Sequence, residues 1–355
     1  MYKIDLYGDG HFTSVLSHRE IGVIFPPTVE TFKRVNFLTV HVLKDAGRYP
    51  HDKATIELGS LKGRTLLGAT DRSVVSRIFT ASLGNLKLNR RYATNVVILW
   101  ERETGHPYCI MDGNPIYDLR TASTAAIGVE CLGSSRQSVA CILGAGPVGR
   151  ATILALGALR NPPQEIRLTA RRKSGFRTVK ERLSTFFRSL DPALLERTKL
   201  VACETLREAI HDSTVIVDAI SLRTASPLID EQVIPFEAMT RMTYVDVGKQ
   251  ALSDSIVARF SSYVFDNLDI GYRLDSPASR ALREGRCNVS AKKCDVTQLL
   301  NSEIDSEEIS PPTLFTIMGV ASIDARIAED GFERLRALPR TQRTGPKRFE
   351  HFALF

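Results

Sequence analysis

The sequence predicts an α/β fold, in which a doubly wound parallel sheet is inserted between the N- and C-terminal parts of a second, α+β domain. Three observations predict it. Between about residues 126 and 305, short apolar runs alternate with helical stretches: Val139–Leu143, Ile166–Thr169, Leu200–Ala202, Thr214–Ala219, Thr243–Val247 and Tyr263–Asp266. The first of these runs breaks directly into Gly144-Ala-Gly-Pro-Val-Gly149 and then into an apolar helix. The flanking segments lack this alternation, which marks them as pieces of a different domain.

Taken in order, residues 1 to about 125 mix short strands with one helix. Thr31–Leu43 places apolar residues at helical intervals. Asn95–Trp100 and Pro107–Met111 flank Glu103-Thr-Gly105 as a hairpin, which feeds a helix starting near Asp118. Near Pro311-Pro312 the pattern changes again, and Leu314–Leu335 reads as one long helix. Residues 339–348 are polar, basic and turn-rich, as expected of a surface arm or tail. The expected division is residues 1–125 plus 306–355 as one domain and 126–305 as the other.

At 355 residues the chain is long enough for two domains with cores. Its formal charge of +7 comes from dispersed basic residues with no aromatic-interleaved patch, so a nucleic-acid partner is not expected. An acidic small substrate and a phosphorylated cofactor account for that charge equally well. Six cysteines form no C-x-x-C pair, which argues against a zinc site or a disulfide framework and for reduced thiols. No apolar run approaches the roughly 18 residues of a membrane span, and no leader is evident; a cytoplasmic location is expected.

The glycine run carries the clearest chemistry. Strand, G-x-G-x-x-G, helix and a second strand at βαβ spacing form a Rossmann dinucleotide fingerprint. Gly144 allows the sharp turn, Gly146 lets backbone N–H groups approach a pyrophosphate, and Gly149 lets helix and strand pack closely; Pro147 and Val148 complete the loop. An NAD site usually has a carboxylate at the end of the second strand. Here that strand runs into Arg171-Arg-Lys173, which suits the 2′-phosphate of NADP(H), favoured over NAD(H). Ser221 and Thr224, after a later strand, are expected at the cofactor's ribose or nicotinamide, or else form an ordinary polar loop.

Asp118-Leu-Arg-Thr-Ala-Ser-Thr-Ala-Ala126, about twenty residues before the glycine loop, resembles the R-T-A-A-x-S-A signature of the ornithine cyclodeaminase/mu-crystallin family. Gly319-Val-Ala-Ser-Ile-Asp324 is similar to the family's G-x-A-x-x-D, and the 103–107 hairpin and Cys294–Leu300 agree in order and spacing. The resemblance runs from about residue 74 to 331 and implies NAD(P)-dependent chemistry on amino and imino acids. It implies a substrate-binding and homodimerising non-Rossmann domain, Arg120 as the clamp for the substrate carboxylate, and Asp324 on the substrate or nicotinamide side. A guanidinium fork suits a planar carboxylate. Lys53 is a further expected substrate contact.

Two departures bear on the chemistry. The family's substrate-domain lysine falls on Arg77, and its catalytic aspartate falls on Gln250, with Asp246 lying earlier on the strand. Arginine keeps its charge where lysine sheds a proton, and glutamine cannot act as a base. Ornithine cyclodeamination, with its several proton transfers, is therefore disfavoured. The expected function is an NADP(H)-dependent oxidoreductase moving hydride to or from an amino/imino acid or keto acid. The alternatives are a cyclodeaminase-type lyase with a recycled cofactor and an NADPH-dependent ligand-binding protein.

Overall fold

A computed structural model describes residues 14–46, 51–58, 61–82, 84–85, 88, 92–133, 138–170, 178–220, 228–248, 251–274, 276–288 and 290–337. The chain forms two compact units. One comprises residues 1–26, 45–120 and 320–355; the other comprises 27–44 and 121–319.

The first unit is built on a six-stranded sheet in the order β1-β6-β5-β4-β3-β2, with β1 Ser14–Leu16, β2 His51–Leu58, β3 Leu61–Ala69, β4 Ser73–Ser82, β5 Ala93–Glu101 and β6 Pro107–Asp112. All pairings are antiparallel except β1 with β6. Strand β4 alternates, with Val75 and Arg77 buried and Ile78 exposed, so one face of the sheet is covered and the other open. The long helix Ala321–Ala337 lies on the covered face, against β3 and β4. Helix α1, His18–Ile24, starts at a capping box in which Ser17 and Glu20 exchange side-chain and backbone hydrogen bonds.

The second unit holds an eight-stranded sheet, all parallel, in the order β13-β12-β14-β11-β10-β7-β8-β9. Its strands are β7 Val139–Leu143, β8 Glu165–Thr169, β9 Lys199–Ala202, β10 Val215–Asp218, β11 Thr243–Asp246, β12 Ser262–Phe265, β13 Lys292–Asp295 and β14 Thr313–Thr316. Every residue of β10, β11, β12 and β14 is buried, as expected of strands covered on both faces. The chain runs outward from β7 through β8 and β9, then returns to place β10 on the other side of β7. That reversal is a topological switch point, where the carboxyl ends of α/β strands leave a crevice.

Helix α2, Val29–Lys44, belongs to this second unit although the sequence places it far upstream. Its buried Asn36 accepts from the Ser123 hydroxyl at 2.7 Å and donates to the Ala155 carbonyl at 3.1 Å. Ser123 lies on helix α3, Gly113–Cys131, and Ala155 on helix α4, Pro147–Gly157. Among the described residues no helix is long and apolar enough to cross a membrane.

Three sequence readings need correction. The parallel sheet continues past residue 305, because Thr313–Thr316 is a strand; the long helix starts only at Ala321, not near Leu314. Helix α3 starts at Gly113, five residues before Asp118, because Pro115 is tolerated in a first turn, where N–H groups have no intrahelical partner. Lys292–Asp295 is an edge strand whose polar composition hid it.

Candidate functional site

Arg77, Arg120 and Asp324, brought from β4, α3 and the long helix, meet within the first unit. Gly68 on β3 makes this possible: a Cβ there would lie 2.5 Å from the Ala321 carbonyl carbon, so only glycine lets the helix start rest on the strand. Asp324 then sits in the first helical turn, where the helix dipole favours a carboxylate. It is fully buried, with Arg77 2% and Arg120 5% exposed. Arg77 Nε is 3.4 Å from Asp324 Oδ2, and Arg120 Nε is 3.5 Å from Oδ1. One carboxylate thus divides its two oxygens between two guanidinium groups.

Tyr117 completes the set. It precedes Arg120 by three residues, so both lie on one face of α3. Its ring centroid lies 4.8 Å from the Arg120 guanidinium carbon and 5.1 Å from that of Arg77. Asn95 on β5 accepts from Arg77 Nη1 at 3.1 Å and donates to Asn114 Oδ1 at 3.1 Å; Asn114 donates to Asp112 at 2.8 Å. Burial pushes the Arg77 guanidinium down to about 10; Asp324 opposes that shift, while Arg120 and Arg64 add to it. Sequence reasoning missed Tyr117 and Asn95. The i, i+3 spacing from Arg120 was the available signal for Tyr117; Asn95 is identified only by strand register.

Lys53 stands on β2 opposite Leu66, which in turn stands opposite Arg77. It therefore shares a cross-strand row with Arg77, two strands and roughly 10 Å away at the backbone.

In the second unit the glycine loop follows β7 at the switch point. Gly144 adopts φ +106°, a conformation that side chains disfavour, and its N–H donates to the Thr169 carbonyl at 3.0 Å. A Cβ at Gly149 would lie 1.9 Å from the Gly144 carbonyl oxygen. Gly146 is the N-cap of α4, with Pro147 in the first turn, and a Cβ on Gly146 would meet no atom within 4 Å. The space before this helix N-terminus is therefore open, and the turn and dipole suit an anion. Below it, burial and the neighbouring Asp246 push the Asp218 carboxyl well above the usual carboxylate range, and Asp218 Oδ1 accepts from the Ile220 N–H at 2.9 Å.

Arg171, Arg172, Lys173, Ser221, Thr224 and Gln250 lie outside the described residues. All six cysteines are free, and among the described residues no cluster of three His, Cys, Asp or Glu side chains is disposed to hold a metal ion.

Comparison with known proteins bears on the fold and the family. A Delta(1)-pyrroline-2-carboxylate reductase of Bacillus cereus is 19% identical over 259 residues, covering 73% of this chain and 76% of that protein. An NAD(P)H-dependent anabolic L-arginine dehydrogenase of Pseudomonas aeruginosa is 23% identical over 246 residues, covering 67% and 71%. The structure of Thermococcus litoralis Delta(1)-pyrroline-2-carboxylate reductase, in complex with NADH and L-proline, superposes with a TM-score of 0.75 at 17% identity, covering 92% of this chain and 98% of that one. The profile of the ornithine cyclodeaminase/mu-crystallin family matches residues 34–270, two thirds of the sequence, and the chain belongs to that family.

Proposed function

We propose that the protein is an NAD(P)-dependent oxidoreductase that transfers hydride to or from the carbon of an amino or imino acid, with Arg120 and Arg77 anchoring the substrate carboxylate. The observation that carries this reading is the convergence of two buried guanidinium groups, Arg77 and Arg120, on the single carboxylate of Asp324. Two guanidinium groups side by side present planar forks of donors, and a carboxylate matches such a fork in shape and charge.

Each side chain has a part in this reading. Asp324 holds both guanidinium groups in place, Asn95 fixes the Arg77 fork from β5, and Tyr117 is the surface against which both cations rest. Even lowered to about 10 by burial, Arg77 keeps its charge at neutral pH. It therefore anchors and does not relay protons; the substrate nitrogen takes its proton from water or arrives as an iminium ion. The glycine loop would hold a nicotinamide dinucleotide, which when bound would supply or accept the hydride. The open space at Gly146 and the α4 N-terminus fit its pyrophosphate. The cations Arg171, Arg172 and Lys173 support NADP(H) over NAD(H). Exposed Leu67, Ile78 and Val96, on the open face of the six-stranded sheet, support a homodimer formed through that face.

The test is absorbance at 340 nm with NADPH or NADP⁺ and a panel of keto acids with ammonia, cyclic imino acids and amino acids. A substrate-dependent change is expected. Conversion of a compound with no net change in NADPH identifies a lyase instead, and tight NADPH binding with no conversion identifies a ligand carrier. Arg120→Ala is expected to lower kcat/KM by about 100-fold while sparing NADPH affinity. Unaltered turnover in that variant overturns the carboxylate anchor.

A further inference from the structure

Arg150 breaks a local rule beside the glycine loop. It stands in the first turn of α4, where its N–H donates to the Gly146 carbonyl at 3.0 Å and where the helix dipole disfavours a cation. Helical side chains lean toward the N-terminus, so this one turns back over the loop, and its Nε donates to the Ala145 carbonyl at 3.1 Å. The guanidinium carbon lies 4.6 Å from the ring centroid of Phe186, on helix α5, Val179–Phe187. Arg182, four residues before Phe186, stands on the same face of α5. Burial against these neighbours lowers the Arg150 guanidinium from its usual value, and the charge of Arg182 adds to the shift. Dipole, Arg150 and Arg182 thus add positive potential at one place. The side chain is exposed, yet the bond to Ala145 and the Phe186 ring hold it in one orientation. Those contacts use Nε and the flat face of the guanidinium; among the described residues none engages either Nη.

The place is informative. Ala145 follows Gly144, whose N–H is bonded to the Thr169 carbonyl at the end of β8, and α5 is the first described helix after β8. The guanidinium therefore stands on the β8 side of the loop. In a Rossmann unit the end of that second strand is where the 2′ position of the adenosine ribose is read. We propose that Arg150 is a specificity-determining residue that reads the 2′-phosphate of NADP(H). This rests on the reading of the glycine loop as a nicotinamide dinucleotide site. The Nη edge offers parallel donors to phosphate oxygens, while the N–H groups that open α4 remain for the pyrophosphate. A 2′-hydroxyl brings no charge to that edge, so Arg150 contributes little to NAD(H).

The experiment is calorimetric titration of the full chain with NADPH, with NADH and with 2′,5′-ADP, the fragment that keeps the 2′-phosphate and lacks the nicotinamide half. Wild type is expected to bind NADPH at least about 10-fold more tightly than NADH. Arg150→Gln is expected to weaken NADPH and 2′,5′-ADP about 20-fold and NADH by less than about 2-fold. Arg150→Lys, which keeps the charge without the fork, is expected to retain part of the preference. A loss shared equally by NADPH and NADH assigns Arg150 to the pyrophosphate or to the shape of the loop and overturns the inference. Unchanged affinities overturn it as well. In both cases the cofactor reading stands, because wild type still binds the dinucleotides. If wild type binds neither NADPH nor NADH, that reading fails and the inference fails with it.

Discussion

The glycine loop and the arginine cluster are built on opposite principles. The loop is made almost wholly of backbone, and its selectivity is steric: at Gly149 the gap to the Gly144 carbonyl leaves no room for a methyl group. The cluster is made of side chains carried by three segments separated by up to about 250 residues, and its selectivity is electrostatic. A site of the first kind is damaged above all by added volume. A site of the second kind tolerates volume at its rim and is damaged by any change in charge count.

That contrast is open to direct attack. Asp324→Ala leaves two buried guanidinium groups facing each other and is expected to destabilise the protein by about 4 kcal/mol in urea unfolding. A bound carboxylate should restore part of the loss by supplying negative charge; a destabilisation below about 1 kcal/mol would place the counter-charge elsewhere. Gly149→Ala comes next, at about 3 kcal/mol, because its clash is with a backbone oxygen that cannot rotate away. No added anion should rescue it, and rescue by one would erase the distinction between the two sites.

A third, smaller effect concerns the cofactor. Replacing Arg171 and Arg172 together with Ala is expected to weaken NADPH by about 10- to 100-fold and NADH much less, measured by quenching of intrinsic fluorescence. Equal effects on both would show that the glycine loop works without electrostatic help from its neighbour strand.

The smallest effect is a titration in the second unit. Burial pushes the Asp295 carboxyl up to about 6, where it caps the helix Val296–Leu300 and accepts from the Leu268 N–H. The folded value lies above the unfolded one, so the folded state binds more protons between about pH 4 and 6. Stability from this group is highest below pH 4 and falls as the pH rises to 6. Asp295→Asn, which keeps a capping side chain, should flatten that part of the stability profile; an unchanged slope assigns it to another group.

How far the sequence revealed these sites follows from the same contrast. Strand, turn and helix of the glycine loop lie within nineteen consecutive residues, 139–157, so local pattern suffices to find them. Arg120 and Asp324 emerge only through resemblance to a family, and Tyr117 and Asn95 not at all, since their proximity depends on strand register and on how α3 lies in the unit. Thr313–Thr316 was misread because four buried apolar and β-branched residues followed by a helix carry no periodicity that separates strand from helix. Helix α2, by contrast, is amphipathic over four turns and was found almost to the residue.

The position of Asp324 in the chain has a consequence for biosynthesis. Arg77 and Arg120 leave the ribosome early, but the carboxylate they share follows about 200 residues later, some 10 to 40 seconds at ordinary elongation rates. Throughout that interval the sheet of the first unit must remain unsealed, with its guanidinium groups in water, while all of residues 121–319 emerge. Arrival of the long helix supplies the missing charge and the missing layer together. A chain released before that helix is made lacks both the carboxylate and the layer that bury these arginines.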